Sequence, residues 1–216
     1  MRILIEVPTY DGSISRATSE SLWRLDRGGH DVDYRPRAGY GCAMARNRIA
    51  ADALNANYDY VLMVDNDIEL PTDALTTLVS HDRLVVMGWY LNRYARGERR
   101  YTTLYREGDG WDMFAADELL ARRDAGEHLL RVKGGGMGCC LIAADVFRML
   151  PFPWFEWTDD AHERYEAADV YRCTDRFQSG GEDISFCNLA AFHGIPIYAD
   201  TRVACGHEFR EVVWPS

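Results

Sequence analysis

Short apolar runs and helix-spaced apolar positions alternate along the first 90 residues. Ile3-Leu4-Ile5 with Val7, Tyr60-Val61-Leu62-Met63-Val64 and the stretch from Leu84 to Trp89 have the continuous apolar pattern of strands buried on both faces. Between them the spacing becomes helical. Ser13 to about Arg27 carries Ile14, Ala17, Leu22 and Leu25 and is stopped by Gly28-Gly29. Cys42 to Ala56 carries Met44, Ile49, Ala50, Ala53 and Leu54, and Thr72 to Ser80 carries Leu75, Leu78 and Val79. Residues 30–35 read as one more short strand. This alternation predicts an α/β fold with a single open, doubly wound, mostly parallel sheet and helices on both faces. Right-handed crossovers would gather the strand tips, Asp11 and Asp65 among them, along one edge, where such sheets bind ligands.

The second half is less regular. It holds an Arg/Tyr-rich segment (92–106), a helix (116–125), a Gly-rich strand (134–143) and an aromatic loop from Phe152 to Trp157. A helix starting near Glu182 and a strand (200–205) ending in Gly206-His207 follow. No linker interrupts the pattern, so residues 1–216 read as one domain.

Composition narrows the class. The chain has 216 residues, 47% apolar, as expected of a folded domain. No apolar stretch approaches the roughly 18 residues that cross a bilayer. The opening Met1–Pro8 is too short and too acidic for a secretory signal, so a soluble, cytoplasmic protein with no membrane partner is expected. Six cysteines show no C-x-x-C spacing and read as reduced thiols, with no zinc cluster indicated. The net charge of −10 argues against non-specific polyanion binding by the whole surface. The basic residues are nearly all arginine, Lys133 being the only lysine.

The candidate chemistry starts at Asp65-Asn66-Asp67, which ends the most apolar run. Continued as a strand, residues 65 and 67 point to one side and Asn66 to the other. Two carboxylates that close need a shared proton or a cation, and a hard divalent ion carrying a diphosphate supplies the cation. The alternative is an ordinary acidic turn capping the next helix. Four further elements join it. Asp11, after the first strand, either accepts bonds from uracil N3–H or ribose hydroxyls or is a turn residue of Asp11-Gly12. Arg46, beside Asn47, either meets the nucleotide or lies on a solvated helix face. The run Gly134-Gly135-Gly136-Met137-Gly138 lacks the Lys-Ser/Thr of a P-loop and either lets a donor sugar approach or forms a packed bend. In Glu182-Asp183, Ser179-x-x-Glu182 fits a capping box, which frees Asp183 as general base. His207 is either a metal ligand, favouring Mn²⁺, or a structural histidine.

Taken in chain order, Pro8-x-Tyr10, the Ala45-Arg46-Asn47 helix, Asp65-x-Asp67, the Gly-rich strand, Glu182-Asp183 and the late His207 resemble the glycosyltransferase A fold, in particular family-2-like nucleotide-sugar transferases. The resemblance covers nearly the whole chain. It implies metal-dependent transfer of a sugar from a nucleoside diphosphate, UDP favoured, to an acceptor hydroxyl, with inversion. The implied donor-binding residues are Pro8, Tyr10, Asp11, Arg46, Asn47, Asp65 and Gly136. Asp65, Asp67 and His207 would hold Mn²⁺ or Mg²⁺, and Asp183 with Glu182 would be catalytic. On this reading residues 1–90 are a nucleotide-binding half and 91–216 an acceptor half. A sugar-1-phosphate nucleotidyltransferase would carry a Gly-rich Arg/Lys signature where Pro8–Gly12 stands. A non-catalytic nucleotide-sugar-binding module would need neither Asp183 nor His207.

Arg93, Tyr94, Arg96, Arg99, Arg100, Tyr101, Tyr105 and Arg106 interleave cations with aromatics, which suits a nucleic-acid backbone with stacked or flipped bases. A hydroxymethylated DNA base, as acceptor of a phage-type DNA-modifying enzyme, is therefore one reading; a solvated loop over the diphosphate or a subunit contact is another. Trp154, Phe155 and Trp157 form either a platform for a sugar ring or base, or part of the core.

Overall fold

A computed structural model describes residues 1–93, 100–156 and 181–209. The first half runs β1 (Arg2–Thr9), α1 (Arg16–Arg24), β2 (Asp31–Ala38), α2 (Cys42–Asn55), β3 (Tyr60–Val64), β4 (Ile68–Glu69), α3 (Ala74–Val79) and β5 (Val85–Trp89). The second comprises β6 (Tyr101–Tyr105), β7 (Met113–Ala115), α4 (Ala116–Asp124), β8 (Leu129–Val132), β9 (Gly134–Gly135), β10 (Cys139–Ala143), α5 (Ala144–Met149), α6 (Glu182–Phe192), β11 (Ile197–Ala204) and β12 (Gly206–His207).

Seven strands form the central sheet in the order β2-β1-β3-β10-β5-β11-β8. Strands β2, β1, β3, β5 and β11 run the same way, whereas β10 is antiparallel to β3 and β5, and β8 is antiparallel to β11. The sheet is thus mostly parallel, and its central strands β3, β10 and β5 are buried on both faces whereas the edge strand β2 is largely exposed. Along β3, Val61 and Met63 enter one core with Ile49 and Ala53 of α2, Phe147 of α5 and Phe186 of α6. Leu62 and Val64 enter the other with Leu22 of α1 and Leu75 and Leu78 of α3. That period of two explains why the run is continuously apolar. Among the described residues no helix is long and apolar enough to cross a membrane.

Two expectations need correction. The Gly-rich stretch is not one strand: β9 pairs with β6 in a three-stranded sheet, the chain turns at Met137-Gly138, and β10 enters the central sheet. Glycine is required at this turn because the backbone passes against Tyr90. A Cβ added at Gly136 would lie 2.3 Å from Tyr90 Oη, and one at Gly138 would lie 2.7 Å from it. The space is spent on a contact, since the Gly138 N–H donates to Tyr90 Oη at 3.0 Å. Secondly, β3 stops at Val64. Asp65–Ile68 is a turn closed by Ile68 N–H on the Asp65 carbonyl at 3.2 Å, so strand alternation does not orient the two aspartates. Cys42, Cys139, Cys140, Cys187 and Cys205 are free thiols, and Cys173 lies outside the described residues.

Candidate functional site

The parallel strands β1, β3, β5 and β11 deliver their C-terminal ends to one edge, and each end carries a polar group. From β1 comes Asp11, whose Oδ1 accepts the Ser13 N–H at 2.9 Å. That backbone hydrogen bond holds its carboxyl below the ordinary pKa range. From β3 comes Asn66, which was expected to face away. It instead stitches the two tips together, donating through Nδ2 to the Ser13 carbonyl at 2.9 Å and accepting the Ser15 N–H on its own carbonyl at 2.8 Å. Ser15 caps α1, its Oγ accepting the Thr18 N–H at 3.1 Å. Asp11, Ser13, Ser15 and Asn66 line a cleft of about 550 Å³ together with Asp67, Arg93, Glu208 and Phe209. This size suits a small ligand.

Asp67 and His207, far apart in the chain, are brought together by a short ladder. β12 pairs antiparallel with β4, His207 opposite Ile68, and the Glu208 N–H donates to the Asp67 carbonyl at 2.9 Å. The His207 ring is oriented by Nδ1, which donates to the Leu91 carbonyl at 2.8 Å, and by Tyr90, edge-on at 5.1 Å. A carbonyl only accepts, so Nδ1 carries the proton and the Nε2 lone pair is left to accept from Arg93. Burial, aided by Arg93, pushes the His207 pKa below its ordinary value, which keeps the imidazole neutral at pH 7. Asp67 Oδ2 lies 3.7 Å from His207 Nε2. Arg93 spans the two, Nε donating to His207 Nε2 at 3.1 Å and Nη2 pairing with Asp67 Oδ2.

Asp65 does not join this pair. Its Oδ1 accepts from Arg46 Nη2 at 2.7 Å, and Arg46 Nε donates to Glu182 Oε1 at 3.0 Å. Arg46 is only 3% exposed, so it is a buried counter-ion tying α2 to the end of β3 and the start of α6, and not a group laid against a nucleotide. Glu182 is the first residue of α6 with Gly181 as N-cap, which displaces the capping box expected from Ser179, a residue outside the described segments. Asp183 follows, one residue further into the first turn. Burial, then the neighbouring Glu182 charge, raises its pKa to about 6, against the Ile184 N–H that its Oδ1 accepts at 2.8 Å. The Asp65 carboxylate adds to that rise and Arg46 opposes it, while burial and the Asp183 carboxylate push the Tyr90 and Tyr105 hydroxyls up.

Several other expected residues have different surroundings. Asn47 clamps the aromatic loop: Oδ1 accepts the N–H groups of Trp154 and Phe155 at 3.0 and 3.1 Å, and Nδ2 donates to the Phe155 carbonyl at 2.6 Å. Trp154 and Phe155 are core residues packed on Phe147, so Trp154 is not a surface platform. Pro8 is buried within β1, Gly136 is packed against Tyr90, and Tyr10 is 81% exposed beside Asp11. Of the arginine cluster, Arg93 is in the cleft, Arg100 is exposed ahead of β6 and Arg106 is paired with Glu118. Tyr94, Arg96, Arg99 and Trp157 lie outside the described residues. Sequence reasoning missed Asn66, Tyr90, Ser13, Ser15 and Glu208, whose roles arise from backbone and long-range partners that no local motif signals.

A divalent ion fits this site in part. Among the described residues no three His, Cys, Asp or Glu side chains gather as a ligand set. Yet Asp67 and His207 present an oxygen and an imidazole lone pair side by side, with the ring fixed by a carbonyl behind it, the arrangement usual for a metal-binding histidine. A cation already bridges them in the form of Arg93.

Neither a protein-family model nor a curated protein sequence matches the chain. Among solved structures, A197 from STIV superimposes with a TM-score of 0.61 at 19% identity, over 97% of this chain and 87% of that one. GalNAc-T7, solved with UDP, GalNAc and Mn²⁺, gives 0.52 at 13%, over 96% of this chain and 44% of that one. The fold is glycosyltransferase A-like. S. aureus TarS (1–349), in complex with UDP, gives 0.47 at 12% identity over 93% and 57%. At 19% and 13% identity the likeness to A197 and GalNAc-T7 speaks for the fold alone, and the chemistry has to be argued from the site.

Proposed function

We propose that this chain is a nucleotide-sugar glycosyltransferase that moves a sugar from a UDP-sugar to an acceptor hydroxyl. The observation that carries the reading is the convergence of Asp11 and Asp67 on one cleft at the C-terminal edge of a glycosyltransferase A-like sheet, with His207 Nε2 3.7 Å from the Asp67 carboxylate. Three carboxylates (Asp11, Asp67 and Glu208) and one arginine line that cleft among its described residues, so a diphosphate enters only with added positive charge. Mn²⁺ or Mg²⁺ held by Asp67 and His207 would supply it, acting as Lewis acid on the leaving diphosphate. Asp11 accepts from the base or ribose, and the capped N-terminus of α1 turns its positive end to the phosphates. Asp65 keeps the oxygen that Arg46 does not use for the ribose.

Asp183 is the general base. It removes the acceptor hydroxyl's proton as the sugar carbon is attacked, giving inversion. A carboxylate with a pKa of about 6 is a stronger base than an ordinary aspartate and is still ionised at pH 7. Glu182 holds Arg46 and sets the charge beside Asp183, which makes it a positioning residue. Of the DNA-acceptor expectation, Arg100 remains exposed among the described residues, whereas Arg93 and Arg106 are engaged by Asp67 and Glu118.

The test is a thermal-shift screen of UDP-, GDP- and dTDP-sugars with and without Mn²⁺, followed by donor hydrolysis. A bound donor at a hundredfold excess over its Kd should add about 2.7 kcal/mol of stability. No shift with any donor, with or without metal, removes the reading. A shift without turnover, unchanged in Asp183→Asn, leaves the non-catalytic module in its place. Pyrophosphate release from a nucleoside triphosphate would favour the nucleotidyltransferase.

A further inference from the structure

Arg93 stands where the metal reading needs a cation, and it uses the atoms a metal would use. Its Nε takes the His207 Nε2 lone pair at 3.1 Å and its Nη2 takes Asp67 Oδ2, bridging two groups 3.7 Å apart. Neither partner depends on Arg93 for its position. The β12–β4 ladder and the Leu91 carbonyl hold His207, and Asp67 lies at the start of that ladder. The Arg93 side chain is 51% exposed, so it can leave for solvent without disturbing a packed element. A guanidinium and a divalent ion cannot share the imidazole lone pair, which accepts one partner.

We propose that Arg93 is an internal surrogate cation, which occupies the Asp67–His207 pair in the metal-free protein and has to be displaced before a divalent ion binds. This rests on the reading of that pair as the metal-holding groups. The arrangement sets a threshold on metal affinity: the ion binds against an intramolecular competitor that never dilutes. It also keeps the Asp67 carboxylate neutralised in the metal-free protein.

The experiment is direct Mn²⁺ binding to the full chain without nucleotide, by calorimetry or by the spin-resonance signal of free Mn²⁺. Wild type, Arg93→Gln, Arg93→Lys and the Asp67→Asn/Arg93→Gln double variant are compared. Arg93→Gln should bind Mn²⁺ about tenfold more tightly, a factor equivalent to about 1.4 kcal/mol. Arg93→Lys, still charged but lacking the planar fork, should fall between, and the double variant should lose the tight site. Equal or weaker binding by Arg93→Gln overturns the surrogate role. So does the absence of Asp67-dependent Mn²⁺ binding in every protein. If Mn²⁺ binding tightens as expected and no nucleotide sugar binds any variant, the surrogate role stands and the glycosyltransferase reading fails.

Discussion

Replacing Asp183 with asparagine should stabilise the protein while abolishing transfer. The side chain is partly buried at the start of α6, with Glu182 beside it and Arg46 already taken by Asp65 and Glu182. Its pKa rises from the ordinary 3.8 to about 6, with burial the largest cause. The folded state therefore binds this proton more tightly than the unfolded state. Stability contributed by the group is full below about pH 4 and is lost as pH rises to about 6. The full displacement corresponds to about 3 kcal/mol, and the side chain's residual solvent contact reduces it to roughly 2 kcal/mol. Asparagine is nearly isosteric, keeps an oxygen for the Ile184 N–H and cannot ionise. The stability advantage of Asp183→Asn over wild type, from urea unfolding at pH 4.5 to 8, should grow by roughly 1 kcal/mol across that range, the rest having accrued below pH 4.5. Transfer should fall by about 10²–10⁴-fold, with donor affinity retained. A stability difference that is flat with pH refutes the electrostatic argument, and full transfer by the variant refutes the assignment of the base.

Arg46→Met removes the cation shared by Asp65 and Glu182, leaving two carboxylates facing each other, and should cost about 3–5 kcal/mol in urea unfolding. A loss under about 1 kcal/mol would show that water already screens them. Gly136→Ala forces a methyl group against Tyr90 Oη and should destabilise by about 1–3 kcal/mol. Tyr90→Phe in the same chain should restore part of that loss, and no rescue would mean that the clash lies elsewhere. His207→Ala should remove metal-stimulated donor hydrolysis without large loss of stability. Because its pKa lies below the ordinary 6.5, Mn²⁺ binding by wild type should hold from pH 7.5 down to pH 6.5. A steep loss over that interval, in calorimetry, would contradict a neutral imidazole.

The sequence by itself determined what depends on neighbours along the chain. The continuous apolar runs specify strands buried on both faces, as Val61/Met63 and Leu62/Val64 entering opposite cores demonstrate. Helix-spaced positions such as Ile49, Ala50 and Ala53 specify the layer that covers them. The order of strands and helices then places Asp11 and Asp65–Asp67 on one edge, because parallel strands joined by right-handed crossovers end together. Beyond that edge, residues are sorted by contacts between distant segments, which leave no periodic trace. Asp65 and Asp67 look equivalent in sequence, yet a turn sends one to the buried Arg46 and the other to His207. Arg46 reads as a helix-surface arginine until α6 arrives with Glu182, over a hundred positions later. Arg93 belongs to a basic cluster by composition, but the β12–β4 ladder presents it with an imidazole and a carboxylate that only tertiary pairing assembles. Local pattern carries the hydrophobic energy that builds layers, whereas the partners of each charge are set by which loops meet when those layers close.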